Sequence, residues 1–221
     1  MGKRLKDGIY RTKLAVFVGI NLFFLSIGVN GKELTFDVAK IWKNLSSINL
    51  QEGIFIFSLS ILAIALCGII PSEWKFILVY WKPKNAEPAS EAFTKWMFKD
   101  KRIDVKVLQK RYKNLPTSPK EQNSLWYKIY KKHQEKPSVT DAHSNFLLMR
   151  DLATISFIFM FSFGLYFLYT LVKTNYSFVS FIVFLVFLSE YVLVSISARN
   201  YGIRLVYNVL AEESSEIKAK L

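Results

Sequence analysis

The sequence predicts an all-α integral membrane protein: four transmembrane helices with a helical, basic cytoplasmic module between spans 2 and 3. Three observations predict it. The chain is 52% apolar, yet it carries 30 Lys and Arg against 17 Asp and Glu, for a formal net charge of +13. The two populations are segregated into separate stretches. Four stretches are nearly free of charge, and each has the length of one membrane crossing, since a hydrocarbon core about 30 Å thick takes about 20 helical residues. Buried helices of soluble proteins keep a wet face, and runs such as FIFSLSILAIALCGII and FVSFIVFLVFLS have none.

The third observation is where the basic residues fall. Of the 30 Lys and Arg, 26 lie in residues 1–13, 71–150 and 199–221, and only 4 in the two alternating connections. Basic residues beside a span resist translocation, so the expected topology has both termini and residues 71–150 in the cytoplasm. Residues 1–13 form a cytoplasmic N-terminus and 14–30 the first span, read as an uncleaved anchor although its basic head and apolar run imitate a signal peptide. Residues 31–52 form an external connection. Within it Leu34, Val38, Ile41, Trp42 and Leu45 share one helical face, which predicts an amphipathic helix lying on the leaflet with Trp42 at headgroup depth.

The second span covers residues 53–70 and contains Cys67, the single cysteine, so no internal disulfide forms. After Pro71, Trp74 and Trp81 alternate with lysines, the pattern of an interfacial anchor. The module over 71–150 reads as short helices punctuated by prolines. Ser118 with Glu121 three residues on is a capping box, and Pro119 takes the first helical position. The helix they start turns Leu125, Trp126, Ile129 and Tyr130 to one side and Lys128, Lys131 and Lys132 to water. Ser138 and Asp141 repeat the start signal, and one helix is predicted from Val139 to Val172, the third span occupying 151–172. Arg150 and Asp151 sit at its cytoplasmic mouth as a boundary charge pair. The fourth span, 178–198, is followed by a helical extension and tail over 199–221.

The usual catalytic signatures are missing. The chain has no GxxxxGK[ST] loop, no GxGxxG, no HExxH and no CxxC. His133 and His143 are not spaced to place two imidazoles on one metal from a single helix. The reading is therefore non-enzymatic, with no cofactor and no metal. Two features carry functional weight. Glu190 falls well inside the fourth span, where a carboxylate faces a partner, the bundle interior or a water path; Asn21, Tyr166 or a neighbouring hydroxyl are its candidate contacts, and an oligomer would gather one Glu190 per chain into an acidic ring. Residues 71–150 carry seventeen basic against eight acidic side chains. Positive-inside topology and attraction to anionic lipid headgroups explain most of that excess. Arg111, Lys128, Lys131 and Lys132 are the candidates for a surface that binds an anion, a nucleotide or nucleic acid, or a cytoplasmic protein.

In outline the layout resembles small multi-pass bacterial membrane proteins that act as effectors or accessory subunits in phage-defence systems. The likeness is one of architecture and carries no motif. It implies the bacterial inner membrane, a homo-oligomer, and a cytoplasmic module that signals to a bundle able to open a pore or perturb the membrane. A plain membrane anchor for an interaction module is the alternative. A lipid-modifying enzyme using Asp141, His143 and Asp151 is a third.

Overall fold

A computed structural model describes residues 8–30, 50–173 and 178–220. The element order is α1 (Gly8–Asn30), α2 (Leu50–Ile69), α3 (Ser72–Tyr80), two 3-10 turns (Pro88–Glu91 and Trp96–Phe98), α4 (Val105–Tyr112), α5 (Pro119–His133), α6 (Pro137–Val172) and α7 (Phe178–Lys218). No strand occurs among the described residues. Trp42 and its amphipathic segment lie outside them.

Among the described residues, three helices are long and apolar enough to cross a membrane: Gly8–Ser26, Pro137–Val172 and Phe178–Lys218. A fourth arises only if α2 and α3 are counted together as one broken span. The break falls at Pro71, whose ring and missing N–H end the ladder, and the last helical bond before it runs from Ile70 N–H to Leu66 O at 3.3 Å. The three or four apolar helices are those of an integral membrane protein.

The chain divides into two compact units. One comprises Gly8–Pro71 and Asp151–Val194, the other Ser72–Arg150 and Ser195–Leu221. In the first, here the apolar unit, α1 buries Tyr10, Leu14, Val18, Asn21 and Leu22, and α7 buries Ser180, Val183, Phe187 and Tyr191, each set at the spacing of one helical face. From α6 come Phe159, Phe163 and Phe167, and the Phe163 and Phe187 rings meet edge to face at 5.5 Å. Gly164 leaves room for Phe184: a Cβ there would lie 3.1 Å from its ring. The outward face of the same unit is made of Val16, Ile20, Leu62, Phe161, Leu165, Leu168, Leu185 and Leu188. An exterior of large aliphatic and aromatic groups suits lipid, which demands no polar surface.

The second unit, here the polar unit, has an ordinary aqueous core. Phe93, Met97 and Leu108 pack with Trp126 and Ile129 of α5, Val139 and Phe146 of α6, and Val206, Val209 and Leu210 of α7. The Ser118 hydroxyl caps α5 by accepting from Glu121 N–H at 3.4 Å, and Pro119 occupies the first turn. Gln122, 1% exposed, ties α5 to the 3-10 segment: its Oε1 accepts from Phe93 N–H (2.9 Å), Thr94 N–H (3.1 Å) and the Thr94 hydroxyl (3.2 Å), and its Nε2 donates to Thr117 O (2.9 Å). Every polar atom of that buried amide is engaged.

Helix α6 starts at Pro137, two residues ahead of its expected start. Proline is pre-set for the first helical turn, which leaves Ser138 inside the helix, where its hydroxyl donates to Glu212 Oε1 at 2.5 Å instead of capping. Helix α7 continues unbroken past Ala198 to Lys218, so α6 and α7 each contribute residues to both units. At the end of α3, Arg199 Nε donates to the Val79 carbonyl at 2.5 Å, satisfying an orphan acceptor of the last turn. The Arg199 guanidinium also lies 3.7 Å from the Trp81 ring centroid, and Trp81 takes the left-handed conformation (φ 53°) that closes the helix.

Candidate functional site

Helices α4, α5 and α7 of the polar unit converge on a cavity of about 430 Å³. Lys110, Arg111, Lys113, Lys132 and Lys220 supply its positive charge, Val107 and Ile217 its apolar wall, and Glu213 and Glu216 its acidic groups. The helical register places them: Val107, Lys110 and Arg111 lie at i, i+3 and i+4 on α4, while Glu213, Glu216, Ile217 and Lys220 repeat that spacing along α7. Asp104 caps α4 by accepting from Val107 N–H at 3.3 Å.

Both carboxylates are already committed. Glu213, 2% exposed, receives three donors: the Tyr112 hydroxyl at 2.8 Å, Lys132 Nζ at 2.8 Å and His133 Nε2 at 2.6 Å. Burial works against its charge, but the hydrogen bonds from Lys132, His133 and Tyr112 outweigh burial and hold its carboxyl below the usual carboxylate range. An ionised carboxylate only accepts, so His133 carries its proton on Nε2. Burial, then the hydrogen bond to Glu213 and its charge, push the Tyr112 phenol well above its ordinary value. Glu216 lies 3.2 Å from Lys132 and also pairs with Lys220.

His133, Glu213 and Glu216 present ligand atoms close enough together to suit a metal ion. The Lys132 ammonium pairs with both of these carboxylates, at 2.8 Å from Glu213 and 3.2 Å from Glu216. Among the described residues, the two carboxylates that line the cavity with Lys110, Arg111 and Lys113 are thus both paired with lysines. An anion entering there meets a positive field with fixed geometry.

Of the four surface candidates read from the sequence, the structure brings Arg111 and Lys132 together on this cavity. Lys128 and Lys131 are exposed elsewhere on α5, Lys131 lying 5.5 Å from the Tyr127 ring. Lys110, Lys113, Lys220, Tyr112, His133 and Glu213 are additional. A signal for two of them exists in the sequence: His133 continues the apolar face of Trp126, Ile129 and Tyr130, and Glu213 continues that of Val206, Val209 and Leu210, each at i+7. A polar group on a core stripe needs a partner, and these two are each other's.

The other histidine is engaged as well. His143 Nδ1 lies 2.8 Å from the Tyr130 hydroxyl, and burial, then the charges of Arg150 and Lys131, lower it to about 4. It is a neutral structural imidazole at pH 7. Asp141 is exposed.

In the apolar unit Glu190 of α7 meets α1 and α6. Asn21 Nδ2 donates to Glu190 Oε2 at 3.3 Å and to Phe17 O at 3.0 Å, and the Ser156 hydroxyl donates to Glu190 Oε1 at 2.9 Å. Asn21 and Ser156 are fully buried. Asp151 is buried too, accepting from the Tyr10 hydroxyl, while its backbone carbonyl lies 3.7 Å from Cys67 Sγ. In the polar unit, Arg150 is buried with its guanidinium 5.7 Å from the Phe76 ring centroid. Trp74 and Trp81 are 61% and 48% exposed.

No protein-family model matches the chain, and no curated protein or solved structure is detectably similar to it.

Proposed function

We propose that this chain is a non-enzymatic membrane protein whose polar unit binds a multiply charged anion and couples that binding to its apolar helices. The basic cavity carries the reading. Five cationic side chains line about 430 Å³, a volume in the range of small-molecule sites, and its two acidic groups are internally paired. A phosphorylated small molecule fits this chemistry best, because lysine and arginine bind phosphate oxygens through charge-assisted hydrogen bonds. The polar unit faces the cytoplasm in this proposal, on the charge distribution of the sequence, in a bacterial inner membrane.

Coupling would run through α6 and α7, which belong to both units without a break. Binding that favours one packing of these helices would shift the apolar bundle with it. A homo-oligomer arranged around Glu190 would then conduct ions or perturb the bilayer. The test uses the full chain in lipid nanodiscs, titrated with inorganic tripolyphosphate and with a nucleoside triphosphate. Lys110→Glu with Arg111→Glu should weaken binding by at least about tenfold, roughly 1.4 kcal/mol, while Lys128→Glu changes it little. Equal affinities for the wild type and the double variant, or no binding at all, would remove the proposal.

A further inference from the structure

The polar cluster inside the apolar unit holds one buried atom with nothing to bind. Asn21 is 0% exposed, and its amide nitrogen is spent on Phe17 O and Glu190 Oε2. Its Oδ1 is buried and has no hydrogen-bond partner. A stranded buried acceptor costs free energy that native structures normally avoid. Next to it stands the Glu190 carboxyl, which receives two donors but no cation among the contacts it makes in this cluster. A carboxylate in an apolar bundle calls for a counter-charge.

We propose that Glu190, Asn21 and Ser156 form a binding site for a single monovalent metal cation, sodium. One occupant answers both deficits. Sodium would take oxygens from the Glu190 carboxylate, the Asn21 amide and the Ser156 hydroxyl, a set of hard donors. A monovalent charge is required because only one carboxylate is present, and a divalent ion would leave net positive charge buried among phenylalanines. Helices α1, α6 and α7 each contribute one of the three groups, so occupancy bears on how the three pack. Among the described side chains, the other titratable groups buried in this unit are Tyr10, Cys67, Asp151 and Tyr191. Of these, Asp151 and Tyr10 bond each other, Cys67 contacts the Asp151 carbonyl, and the Tyr191 ring packs on Phe157 at 5.5 Å. The site depends on the apolar unit alone and is independent of the anion cavity.

The test is the thermal midpoint of the full chain in nanodiscs of uncharged lipid, at constant ionic strength. It is compared in sodium chloride and choline chloride at a fixed pH of about 8. A sodium site predicts a rise of roughly 2–4 °C in sodium over choline. The response to sodium should vanish in Glu190→Gln, shrink in Ser156→Ala, and persist in Asp151→Asn. Should Glu190→Gln fail to assemble, Ser156→Ala and direct binding of radiolabelled sodium decide the matter. A wild type indifferent to sodium, or a response unchanged in Glu190→Gln or Ser156→Ala, overturns the proposal.

Discussion

Phe161 and Tyr127 are equally exposed, at 54% and 51%, yet they sit on surfaces built to opposite rules. Around Phe161 the apolar unit turns Leu165, Leu168 and Ile20 outward and keeps Asn21, Thr154 and Ser156 inside. Around Tyr127 the polar unit turns lysines outward and keeps Trp126, Ile129 and Leu108 inside. The same chain thus carries two arrangements, and the difference between them is the solvent each one meets. Water rewards the burial of apolar area. Lipid is indifferent to apolar exposure and penalises polar exposure.

The two buried amides extend the comparison. Gln122 in the polar unit has every polar atom satisfied, its oxygen by Phe93 and Thr94 of the 3-10 segment and its nitrogen by the Thr117 carbonyl. Asn21 in the apolar unit has its nitrogen satisfied and its oxygen empty. A fully bonded amide fixes structure. A half-bonded one beside a carboxyl is positioned to receive something.

The largest expected effect comes from putting the same charge on both surfaces. Phe161→Asp should cost about 2.5–3.5 kcal/mol of membrane insertion, the scale for an aspartate near a span centre, whereas Tyr127→Asp should stay within about 0.5 kcal/mol. Glycosylation-based insertion assays and denaturation in detergent would measure the pair. Similar costs at both positions would erase the distinction between the units. A smaller effect sharpens the contrast from inside. Gln122→Leu strands the Phe93 and Thr94 N–H groups and should cost about 1–3 kcal/mol, read as a lower unfolding midpoint. Hydrogen exchange should then quicken at residues 88–98 and not in α1.

Local features of the fold were legible in the sequence because their causes are local. Uniform apolarity marks α1, α6 and the first part of α7, and the Ser118 and Pro119 start of α5 needs only four residues to specify. The absence of a breaker after Pro137 announces the length of α6, and the pattern beyond Ala198 that of α7. Pro71 was visible, but whether α2 and α3 make one crossing depends on surroundings that periodicity does not describe. Glu190 and Asn21 stand out because polar groups are scarce in apolar runs. Ser156, one hydroxyl among several, does not. The cavity was the least legible feature. Its walls come from residues 107–113, 132 and 213–220, and counting charge along one helix favoured Lys128 and Lys131 over Lys110, Lys113 and Lys220. The buried His133–Glu213 pair, separated by 80 residues, forms only when α5 and α7 pack.

Accessibility of nitroxide spin labels in lipid nanodiscs tests the two-solvent account most directly. With the single cysteine removed as Cys67→Ala, labels are placed one at a time at Leu185, outward on α7, and at Lys128, outward on α5. The account predicts that the Leu185 label collides with dissolved oxygen and is shielded from a water-soluble nickel chelate, and that the Lys128 label behaves in reverse. A Leu185 label as open to the nickel chelate as the Lys128 label would contradict it.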